Sequence, residues 1–93
     1  MAMAGYMVEL ITRISKKIND DSISKQLDCL KETCAFSAPE VIPSRLHELF
    51  VLLSSTVPDN TEVKTMYVDG VREFIRRFPD VSLSVMNTTK EED

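Results

Sequence analysis

An apolar helix opened by proline, a short polar turn and a second apolar helix follow one another between Pro39 and Ile75. Pro39 suits the first turn of a helix, where its missing N–H is not needed. Leu46, Leu49, Phe50 and Leu53 then recur at the 3–4 spacing of one helical face. Pro58, Asp59 and Asn60 close a tight turn, and Val63, Met66, Tyr67, Val71 and Phe74 resume the same spacing. Two apolar stripes joined by so short a turn must lie antiparallel and face a common core. This hairpin leaves little room for a sheet.

The same reading extends to the whole chain. A first helix is expected over 4–18, with Met7, Leu10, Ile11, Ile14 and Ile18 on one face. Asn19 to Asp21 make a turn, and Asp21 or Ser22 is the expected cap of a second helix carrying Ile23, Leu27, Leu30 and Cys34. Ser37, three residues before Glu40, has the capping-box spacing. Pro43, one turn after Pro39, either kinks the third helix or splits off a short first turn. The stripe of that helix begins at Ile42 and extends to Val57. The fourth helix has Thr61 as its expected cap and runs to Phe78, before Pro79. Gly70 lies on its apolar face, where the absent side chain allows another helix to approach. Val81, Leu83 and Val85 alternate with serines, as in a short strand or a frayed fifth helix. Residues 1–86 thus read as one domain and 87–93 as a mobile polar tail.

A chain of 93 residues buries roughly 60–65% of its unfolded surface. One core is therefore possible without a metal or a disulfide. The net charge of -4 argues against a general nucleic-acid surface. The longest apolar run, Leu49 to Leu53, is far too short for a membrane span, and the first residues lack the basic and apolar parts of a signal peptide. Cys29 and Cys34, five residues apart, diverge by about 140° on a helix and do not pair there. Reduced thiols fit an intracellular setting.

Chemistry-bearing patterns are few. His47 sits beside Glu48, but side chains at i and i+1 on a helix diverge. Asp20 and Asp21 read as a helix cap, and Glu91, Glu92 and Asp93 as a solvated tail. No phosphate loop, nucleophile elbow or paired-histidine zinc motif is present. These features point to a non-enzymatic chain with no cofactor, no metal and no small-molecule substrate.

The Pro39 start, the Asp59–Asn60 turn, and the Val63–Lys64 pair followed by Val71 and Phe74 resemble a HEAT repeat. The resemblance covers 39–78 by motif and 4–36 by length and stripe alone. Each hairpin spans about 35–40 residues, near the HEAT period. Lys64 stands where the family favours arginine, and Gly70 near a position where alanine is common. Within that class, the runs KQLDCLKETCAFSAPEVIPSRLHELFVLL and TEVKTMYVDGVREFIRRFPDV resemble the N-terminal region of the symplekin family of scaffolds. That resemblance implies an all-α, right-handed stack of two antiparallel helical hairpins, as in an α-solenoid. It also implies a protein-binding scaffold, a place in mRNA 3′-end processing and a nuclear rather than cytoplasmic setting.

A closed four-helix bundle that grips short peptides has the same periodicity. Two stacked hairpins leave open ends, so a partner or self-association is expected. Val51, Leu52 and Val68 are apolar residues off the stripes and form the expected contact surface. Arg72 and Arg76, with Arg77 behind them, are the rival feature: a basic cluster on helix 4 suited to nucleic acid, offset by Asp69 and Glu73.

Overall fold

The computed structural model describes residues 3–79. The alternating segment Val81 to Val85 and the polar tail 87–93 lie outside the described residues. Within 3–79 the chain is helical: α1 Met3–Ser15, α2 Asp21–Ala35, a 3-10 turn Pro39–Val41, α3 Ile42–Thr56 and α4 Thr61–Arg77, with no strand. Pro43 takes the second of the two roles open to it. It sits in the first turn of α3, and the segment opened by Pro39 is a separate 3-10 turn.

Both caps lie before the expected residues. Asp20 caps α2, its side chain accepting from the Ile23 amide at 3.1 Å, so neither Asp21 nor Ser22 does. Asn60 rather than Thr61 caps α4, accepting from the Val63 amide at 3.0 Å. In both cases the capping residue has extended backbone and its oxygen reaches the amide three residues on. The Ser37–Glu40 box does not form. Ala38 precedes the 3-10 turn without a side-chain bond, while the Ser37 hydroxyl donates to the Thr33 carbonyl and accepts from Arg45 Nε.

Helix α1 is the hub and packs against α2, α3 and α4; the remaining packed pairs are α2–α3 and α3–α4. Tyr6, Met7, Leu10, Ile11 and Ile14 are buried on a stripe wide enough to face three neighbours. α3 adds Ile42, Leu46, Leu49 and Leu53, and α4 adds Val63 and Phe74. α2 buries only Leu27 and Cys34. Leu30 was expected in the core and is half-buried against it. Phe50 was also expected inside and is 40% exposed, because it lies at the flank of the α3 stripe rather than its centre.

Tyr6, absent from the expected α1 stripe, ties α1 to α4. Its hydroxyl donates to the Gly70 carbonyl at 3.0 Å, and its ring meets Phe74 at 6.1 Å and Phe78 at 6.4 Å. Gly70 permits that approach. A Cβ there would lie 2.6 Å from Leu10 Cδ1 and 2.7 Å from Cδ2. Gly70→Ala therefore opposes two effects, a helix gain of about 1 kcal/mol and an overpacking cost of about 1–3 kcal/mol. With Leu10 only 3% exposed and unable to swing out, we expect a net loss near 1 kcal/mol. In a Leu10→Ala background the same change becomes stabilising. Chemical denaturation of the four proteins in this cycle checks the sign reversal.

Candidate functional site

The outer seam between α3 and α4 concentrates exposed apolar surface. The Phe50 and Tyr67 rings meet across it at 5.6 Å, and His47 stacks on Phe50 at 6.2 Å, one turn away. Val51 follows Phe50 and is 47% exposed; Val68 follows Tyr67 and is 45% exposed. Phe50, Val51 and Val68 are thus three of the five large hydrophobics exposed among the described residues, the others being Phe36 and Val41 before α3. Scattered apolar side chains are ordinary on a surface, but an aromatic row with aliphatic flanks is not.

Tyr67 anchors the seam. Its hydroxyl donates to the Leu46 carbonyl at 3.4 Å, and burial pushes its pKa up to about 12 by disfavouring the phenolate. Burial likewise raises the Cys34 thiol to about 11. Both folded values exceed the ordinary ones, so these groups favour the folded state fully below their unfolded pKa values. That preference is lost as pH rises, for Cys34 through about 9 to 11 and for Tyr67 through about 10 to 12. Stability is therefore expected to fall from about pH 9 upward. Tyr67→Phe should flatten the upper part of that decline in pH-dependent melts; an unchanged profile counts against the buried hydroxyl.

The remaining residues of the expected surface are dispersed. Leu52 points away from the seam. It is half-buried against the core and, with Lys25, Gln26, Cys29, Leu30 and Glu48, lines a shallow groove of roughly 430 Å³ between α2 and α3. The basic cluster is divided as well. Arg76 and Arg77 both bind the carboxylate of Glu73, holding its pKa down to about 2, and the Arg77 guanidinium also lies 5.6 Å from the centre of the Tyr6 ring. Arg72 is exposed on the outer face of α4, one turn beyond Val68. The expected surface thus resolves into the seam with Val51 and Val68, the α2–α3 groove with Leu52, and the outer face of α4 with Arg72 and Arg76.

Both cysteines are free, Cys29 exposed and Cys34 buried. Among the described residues no group of three His, Cys, Asp or Glu side chains is placed to hold a metal, and no helix is long and apolar enough to cross a membrane. The Phe50–Tyr67–His47 row was legible only as spacing within each helix. Its formation depends on the pairing of α3 with α4. No family model, curated protein or solved structure matches this chain.

Proposed function

We propose that this domain is a non-enzymatic protein-interaction module whose binding face is the α3–α4 seam. The observation that carries this reading is the contiguous Phe50–Tyr67 contact flanked by Val51 and Val68 on a surface that no other described helix covers. Apolar faces rimmed by polar residues are the usual form of protein docking sites. Nucleic acid is the weaker reading, because Glu73 engages two of the three helix 4 arginines.

Between the two helical arrangements, the packing favours a closed four-helix bundle over stacked hairpins. α1 packs on α4 and α2 on α3, whereas α2 and α4, the second helices of the two hairpins, are not a main packing pair. In a solenoid those two would be neighbours. A scaffold role in mRNA 3′-end processing within a larger HEAT-type assembly, and the nuclear setting that goes with it, rest on the sequence resemblance alone.

The test is affinity capture from nuclear and cytoplasmic extract with the whole chain and with Phe50→Ser/Val68→Asp, circular dichroism verifying that both are folded. Proteins retained by the parent chain and lost with the variant support the reading. Retention unchanged by the variant, or salt-sensitive capture of RNA alone, defeats it.

A further inference from the structure

The seam also has a charge asymmetry unusual for an acidic chain. At 100° per residue, Lys64, Val68 and Val71 lie on the flank of α4 that borders α3, and Arg72 follows Val68 by one turn. Neither Lys64 nor Arg72 makes an ion pair among the described residues. The carboxylates of the two helices lie elsewhere. Glu48 pairs with Arg45 and lines the groove toward α2; Glu62 pairs with Lys17, just beyond α1; Glu73 pairs with Arg76 and Arg77. Asp69 lies on the flank of α4 away from α3 by the same spacing. The apolar row is therefore bordered by two cations, Lys64 and Arg72, that form no ion pair among the described residues, with Asp69 one turn before Arg72 on its outer side.

We infer that the occupant of the seam is an acidic amphipathic helix of a partner protein. This rests on the interaction-module reading and specifies its partner. A furrow between two antiparallel helices receives a third helix by ridge-into-groove packing, with apolar anchors repeating every three or four residues. Anchors of that kind meet Phe50, Val51 and Val68. Carboxylates on the edge of the incoming helix meet Lys64 and Arg72, which sets specificity and association rate more than affinity. Phosphate-backbone binding needs several clustered cations rather than two separated by a valine.

The probes are two fluorescent peptides of about 18 residues, long enough to form a helix. They share the same leucine and phenylalanine positions, and glutamate in one is lysine in the other. Both are titrated against the whole chain by anisotropy. The acidic peptide is expected to bind at least about tenfold more tightly than the basic one at low salt, and the preference should shrink as salt rises. Lys64→Glu/Arg72→Glu should reverse the preference without altering the melt, and Val68→Asp should reduce binding of the acidic peptide at least about tenfold. Equal binding of both peptides, still lost with Val68→Asp, overturns the charge assignment and leaves the interaction face standing. Failure of both peptides, with concentration-dependent dimerisation lost in Val68→Asp, assigns the face to a second copy and overturns the inference alone. Failure of both with a monomeric chain also overturns it; if a single-stranded RNA then binds with a steep salt dependence, the interaction-module reading falls as well.

Discussion

Phe74→Ala is expected to lower stability by about 3–5 kcal/mol, the largest loss of any single truncation in this domain. Phe74 is the largest fully buried side chain. Its ring meets Tyr6 of α1 at 6.1 Å and Phe78 at 5.2 Å, so it joins the hub helix to the end of α4. Truncation removes that apolar contact and leaves a cavity that the surrounding helices, held by the Tyr6–Gly70 bond, fill only in part. A domain of this length has roughly 5–14 kcal/mol in total, so the variant loses a large share of its stability. Its melting midpoint should fall by more than about 12 °C. The neighbouring Phe78→Ala should cost much less, because Phe78 is only partly buried. A midpoint unchanged by Phe74→Ala would mean that the inner face of α4 is wrongly assigned.

Leu27→Ala is expected to cost about 2–5 kcal/mol and to act unevenly along the chain. α2 buries only Leu27 and Cys34, with Ile23 and Leu30 half-covered, whereas α1 buries five side chains in its span. Losing Leu27 removes one of only two fully buried side chains of α2. Amides of α2 should then exchange with solvent well before those of α1, through local opening rather than global unfolding. Hydrogen exchange followed residue by residue checks this. Protection of α2 that remains equal to that of α1 would show that α2 is held by more than its apolar stripe.

Much of this architecture was legible in the residues. The 3–4 spacing of Leu10, Ile11 and Ile14, of Leu46, Leu49 and Leu53, and of Val63 and Phe74 marks faces that are buried in the structure. The pauses at Asn19 to Asp21 and Pro58 to Asn60 separate the helices, and Gly70 marks a close approach that Leu10 makes. The caps were legible only to within one or two residues. Asn19, Asp20, Asp21 and Ser22 all offer a suitable oxygen, and local sequence does not choose among them. In the structure Asp20 takes the role, with extended backbone and its side chain accepting from the Ile23 amide.

What a side chain does at the flank of a stripe was decided only in three dimensions. Phe50 and Leu52 occupy opposite edges of the α3 stripe, and either could be buried or exposed on periodicity alone. α2 half-covers Leu52, while Tyr67 of α4 meets Phe50 on one edge and leaves it open on the other. The seam exists because two helices, each apolar on its own terms, meet at an angle that brings Phe50 to Tyr67. The sequence by itself determined the helices, their inner faces and the turns between them, because these follow from local spacing and backbone chemistry. Which flanks are covered and which cations border an apolar row were decided by tertiary packing, because each depends on residues distant in the chain, whereas the pairing of Glu73 with Arg76 and Arg77 follows from their i,i+3 and i,i+4 spacing on α4.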